Sequence, residues 1–86
     1  MEIIYLPKAD EDLMYWIKSG QKNILKKIAL ITSDILEDPY TGIAKPEALK
    51  YNLTNYWSRR ITQKHRYVYK IENEILYVFS LKGHYE

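Results

Sequence analysis

Apolar residues along this chain change their period near the middle. Met1 to Leu6 predicts a short strand. Pro7 ends it and suits the first turn of a helix, where a missing N–H costs nothing. Asp10, Glu11 and Asp12 fall in the opening turns of that helix, where the dipole favours negative charge. Leu13, Trp16 and Ile17 share one face at spacings of three and four. Gly20 is a natural break. A second helix is predicted from about Gln21 to Glu37, with Ile24, Ile28, Ile31 and Ile35 forming one apolar stripe that Leu25 and Ala29 widen. Lys22, Lys26 and Lys27 face elsewhere. Pro39 stops this helix, and Tyr40-Thr41-Gly42 begins a loop.

After Pro46 the period becomes that of strands. Leu49 to Leu53 is a short, weak candidate. Tyr56 to Thr62 is stronger and alternates, with Trp57, Arg59 and Ile61 on one face and Ser58, Arg60 and Thr62 on the other. Gln63-Lys64 turns the chain into a strand over His65–Ile71. Glu72-Asn73-Glu74 is the next turn, and Ile75–Leu81 is an apolar strand. Consecutive strands with short connections imply an antiparallel meander. The pattern therefore predicts an α+β fold of two layers, with an N-terminal strand and two helices packed on an antiparallel sheet of about four strands. The sheet face away from the helices is left free to form a site.

A chain of 86 residues predicts one domain, spanning 1–86. Its 47% hydrophobic and 28% charged residues are those of a globular protein. No apolar run reaches the roughly 18 residues of a membrane span, and the opening residues lack the pattern of a signal peptide. The absence of cysteine excludes disulfides and thiolate metal sites. Together these features lead us to expect a cytoplasmic protein that does not engage membranes. The net charge of +2 is small, but it is unevenly spread. Residues 1–44 hold five Lys/Arg against seven Asp/Glu, whereas residues 45–86 hold eight against four. A basic second half interleaved with tyrosines suits a polyanion such as nucleic acid, although a solvated basic face has the same composition.

The candidate chemistry follows from that half. His65 opens a strand beside a turn and reads as a surface residue. His84 follows a long apolar strand and, taken alone, reads as a solvated polar residue. Two distant histidines make no metal site, so we expect no metal and no cofactor. No serine or cysteine nucleophile motif and no phosphate loop is present. A ribonuclease needs none of these, because the ribose 2′-hydroxyl attacks the neighbouring phosphate. It needs a base for that hydroxyl, an acid for the 5′-oxygen and a cation for the phosphorane charge. Glu47, Arg66 and His84 are residues of those types. Equally, Glu47 alone reads as a solvated loop carboxylate and Arg66 as half of an ordinary ion pair.

Longer blocks narrow the choice. Lys45-Pro46-Glu47-Ala48-Leu49-Lys50-Tyr51-Asn52-Leu53 resembles the Lys-Pro-Glu-x-Leu-Lys-x-Asn-Leu segment of YoeB/Txe toxins in the RelE superfamily. Trp57-Ser58-Arg59-Arg60-Ile61-Thr62 and His65-Arg66-Tyr67-Val68-Tyr69 resemble that family's next two blocks, and His84-Tyr85 its close. Tyr15-Trp16 and Lys26-Lys27-Ile28 fit its helices. The likeness spans essentially the whole chain, in order and spacing.

The resemblance implies a RelE-like fold and an endoribonuclease that cleaves mRNA in the ribosomal A site. It implies Glu47 as general base, Arg66 as the phosphate-stabilising cation, His84 as general acid and Tyr85 as the tyrosine shaping the site. It also implies Lys50 and Arg59 as contacts to the RNA backbone, a YefM-like antitoxin partner and a possible homodimer. Arg60 alternates away from Arg59 and is assigned to a partner rather than to substrate. Gly83, beside His84, is expected to leave that histidine loosely held. Two other classes stay in view: a ParE-like gyrase inhibitor of the same fold, and a non-catalytic ribosome-binding module.

Overall fold

The computed structural model describes residues 1–84. Strand β1 (Glu2–Tyr5) leads into helix α1 (Pro7–Lys18) and helix α2 (Lys22–Glu37). A loop then reaches the two-residue strand β2 (Glu47–Ala48), a 3-10 turn (Tyr51–Leu53) and strands β3 (Trp57–Arg60), β4 (Arg66–Glu72) and β5 (Ile75–Ser80). The strands form one sheet in the order β1-β5-β4-β3-β2. This is five strands rather than about four, and the sheet is mixed. β1 runs parallel to β5, with Ile3 opposite Leu76, while the other neighbours are antiparallel. A parallel pair needs a long crossover, and here the whole chain between the two strands supplies it.

Each local boundary has a physical cause. Pro7 sits at the first position of α1. Asn73 and Glu74 both take positive φ, 52° and 60°, and so join β4 to β5 as a two-residue hairpin of matching twist. The core lies between the helices and one sheet face. Ala9 and Trp16 of α1 and Ile28, Ile31 and Ile35 of α2 pack on Tyr67, Tyr69, Leu76 and Val78.

Two expectations change. Ile17 is 52% exposed, because the buried stripe of α1 runs Ala9, Asp12, Trp16 and so places Ile17 off the seam. Leu49–Leu53 is not a strand. Pairing stops at Ala48, and the chain turns through Tyr51, whose φ is 62°.

Candidate active site

The loop that carries Glu47 is anchored from below by Arg59. This side chain points from β3 to the helix side of the sheet and exposes no surface. Its Nη1 donates to Asp34 Oδ2 at 2.7 Å and to the Ile43 carbonyl at 3.0 Å. Its Nη2 donates to the Asp38 and Thr41 carbonyls, both at 3.0 Å, and its Nε to the Tyr69 hydroxyl at 3.1 Å. A guanidinium has five N–H donors, and these five bonds use them all. The Arg59 guanidinium, followed by the Ile43 N–H, holds the Asp34 carboxyl below the usual carboxylate range. Gly42, at φ 122°, lies against that carboxylate, where a Cβ would collide with it. Beyond it Ala44 and Lys45 both take positive φ, 63° and 52°, which non-glycine residues rarely do. The Ala44 carbonyl is held by the Arg60 N–H at 2.7 Å. The loop thus reaches Pro46 on a fixed path and sets Glu47 on the sheet edge opposite Ser58.

A cleft of about 530 Å³ opens there, lined by Glu47, Leu49, Lys50, Tyr51, Arg66 and His84 among others. Arg66 forms its floor. Strand alternation places it on the face opposite Tyr67 and Tyr69, and only 7% of it is exposed. Its Nη1 donates to Ser58 Oγ at 3.2 Å and reaches Glu47 Oε1 at 3.4 Å. Its Nε is buried without an acceptor. Glu47 is the open partner, with 57% of its side chain exposed. The pair is long for a charge-assisted bond, which is ordinarily about 2.7–2.9 Å. A cation held under a cleft with donor capacity to spare is suited to an oxyanion ligand.

His84 reaches the same cleft from β5. The segment before it is held on both edges. Asp12 Oδ2 accepts from the Leu81 N–H at 3.0 Å, and Trp16 Nε1 donates to the Leu81 carbonyl at 2.9 Å. Lys8 Nζ bridges Asp12 at 2.7 Å and the Lys82 carbonyl at 3.1 Å. Gly83 is held twice, its N–H by His65 Nδ1 at 3.0 Å and its carbonyl by the Arg66 N–H at 2.8 Å. The backbone that leads into His84 is therefore held at Gly83, while the His84 side chain itself is exposed. Gly83 has φ 100°, and its role is to turn the backbone here.

Glu47, Lys50, Arg66 and His84 are brought together as the sequence suggested. Tyr85 lies outside the described residues. Arg59 is a correction: it lies on the wrong side of the sheet to meet RNA, and its donors are spent inside the protein. Arg60 takes the position opposite Arg66 in the β3–β4 ladder, half-buried and with its Nε unpaired. Alternation already separated these two arginines, but it could not say which face carried the helices. Tyr51, 87% exposed on the cleft lining, was also missed. Its signal was an aromatic within a polar stretch. His65 is half-buried rather than a surface residue, packed edge-on against Trp16 at 4.9 Å between ring centroids.

The fold, two helices on a mixed five-stranded sheet, is that of a group of small bacterial toxins. A YoeB/ParE toxin from Agrobacterium tumefaciens superposes with a TM-score of 0.93 at 31% identity, covering 99% of this chain and 100% of the other. The toxin in a YoeB–YefM complex from Staphylococcus aureus superposes with a TM-score of 0.89 at 40% identity, over 99% and 98% of the two chains. In sequence, the Escherichia coli K12 toxin YoeB is 39% identical over 85 residues, 99% of this chain and 100% of its own. A Synechocystis toxin YoeB is 46% identical over 71 residues, 83% of each chain. The family model for the YoeB-like toxin of bacterial type II toxin–antitoxin systems matches residues 5–85. The chain belongs to that family.

Proposed function

We propose that this toxin is an endoribonuclease that cleaves mRNA on the ribosome. The observation that carries the reading is the convergence of Glu47, Arg66 and His84 on one cleft, with the arginine buried beneath it. The Glu47 carboxylate takes the proton of a ribose 2′-hydroxyl as that oxygen attacks the adjacent phosphorus. Arg66 turns from Glu47 to the phosphate and neutralises the charge that grows on its non-bridging oxygens. Its burial matters here, because a cation in a poorly hydrated site interacts more strongly than one in water. His84 gives a proton to the 5′-oxygen as the P–O5′ bond breaks, leaving a 2′,3′-cyclic phosphate and a 5′-hydroxyl. Lys50 flanks the path of the RNA backbone, Tyr51 offers a face for base stacking, and Tyr85 is assigned, from the family resemblance, the role of shaping the site.

The remaining assignments follow the relatives. We assign a YefM-like antitoxin as the partner, as in the Staphylococcus aureus complex, and a homodimer as in the YoeB dimer of that organism. Ribosomes place the activity in the cytoplasm. None of the helices in the described residues is long and apolar enough to cross a membrane.

Primer extension on an mRNA in a translating extract tests the reading. The toxin is expected to produce discrete new 5′ ends within the translated region, and none on the same RNA without ribosomes. Intact mRNA with arrested translation would point to a non-catalytic ribosome binder. Intact mRNA with DNA damage in cells would point to a gyrase inhibitor.

A further inference from the structure

Among the described residues, His65 contributes the one side-chain acceptor that touches the residue preceding His84. Its Nδ1 accepts from the Gly83 N–H, so its proton sits on Nε2, an assignment made from that bond. The residue is held through its backbone as well as its ring. Its own N–H donates to Thr62 Oγ1 at 3.2 Å, and its carbonyl accepts from Ile61 and Thr62. Its ring packs edge-on against Trp16, and Trp16 is in turn bonded to Leu81. The histidine thus joins the β3–β4 turn, α1 and the segment after β5 at one point. We propose that His65 is a positioning residue, which holds the Gly83 amide and so sets the backbone that presents His84 to the cleft.

The inference rests on the catalytic reading of His84, but the contact itself can be read apart from cleavage. It has a built-in pH response, because an imidazolium has no lone pair with which to accept. Burial, then the neighbouring Lys82 and Lys64 charges, holds the His65 imidazole below the ordinary histidine range, and Asp12 opposes them. Asp12 is itself bridged to Lys8, and Lys82 Nζ sits over the Tyr15 ring at 4.3 Å. A histidine whose folded pKa is depressed stabilises the fold above its unfolded value, and that contribution is lost as pH falls through the folded value. Acidification below the usual histidine range therefore frees Gly83.

The test uses the whole toxin and three forms: wild type, His65→Ala and His65→Asn. Asparagine places an amide oxygen about where Nδ1 lies and takes up no proton. In wild type, the Gly83 amide signal in NMR is expected to shift with the same midpoint as the His65 imidazole nitrogens. In His65→Asn it should stay flat over that range. In single-turnover cleavage on programmed ribosomes, His65→Ala is expected to be slower by roughly tenfold with binding unchanged, since small misplacements of a reacting group are costly. His65→Asn should recover to within about threefold, because one acceptor is restored. A Gly83 signal indifferent to His65 titration, or one that titrates equally in His65→Asn, overturns the inference. So does wild-type cleavage by His65→Ala. If His65→Ala does not fold, the wild-type and His65→Asn titrations decide. If wild type cleaves nothing while Gly83 still follows His65, the catalytic reading fails and the contact stands as structural.

Discussion

Replacing Arg59 with methionine is expected to destabilise this toxin by about 3 kcal/mol or more, because several buried acceptors lose their donors at once. For a domain of this size that corresponds to a fall in melting temperature of roughly 12–24 °C. The loss arises from position rather than from charge alone. Arg59 exposes no surface, and it supplies donors to the carbonyls of Asp38, Thr41 and Ile43 and to the Tyr69 hydroxyl. The Tyr69 hydroxyl in turn donates to the Pro39 carbonyl, so the whole loop from Pro39 to Ile43 loses its floor. Asp34→Ala should move in the same direction by leaving a buried guanidinium without its anion. Thermal unfolding followed by circular dichroism measures both. An Arg59→Met protein as stable as wild type, but defective in RNA binding, would return this residue to the substrate contacts.

Replacing Glu47 and His84 together with alanine is expected to reduce cleavage by at least about 10³-fold, since a positioned acid or base is worth roughly 10²–10⁴ each. Their effects should fall short of additive, because both act in one displacement. The fold should be little affected, the cost being the long ion pair that the buried Arg66 loses with Glu47. Both side chains are exposed, and neither supports the core. Substitutions of that kind ordinarily change stability by under about 0.5 kcal/mol. Single-turnover cleavage beside a melting curve separates chemistry from folding. Wild-type cleavage by the double variant would remove both residues from the reaction.

The parts of the fold that rest on local periodicity were legible in the sequence. The four isoleucines of α2, the hairpin at Asn73-Glu74 and the alternation of Ser58, Arg59 and Arg60 each express a single element's geometry. The parallel pairing of β1 with β5 was not legible, because no local pattern records a contact between strands from the two ends of the chain. Asp12 shows the same limit. Three acidic residues open α1, and only tertiary packing distinguishes the one that accepts from Leu81.

The site divides in the same way. The resemblance pointed to Glu47, Arg66 and His84, and the fold brings them to one cleft. It also suggested Arg59, whose alternation was read correctly, but the helix side of the sheet could not be known before the layers were placed. Gly83 and His65 are a third case. A glycine before a histidine reads as looseness, and only the geometry of the Gly83 N–H and carbonyl shows that the turn is held.

The end groups of the cleaved RNA test the central claim most directly. Attack by the 2′-hydroxyl with Glu47 as base and His84 as acid leaves a 5′-hydroxyl on one fragment and a 2′,3′-cyclic or 3′-phosphate on the other. Downstream fragments from a translating extract should therefore accept labelled phosphate from a kinase without prior phosphatase treatment. Fragments that carry a 5′-phosphate would mean that water, not the ribose, attacks the phosphorus, and would contradict the assignment of this cleft.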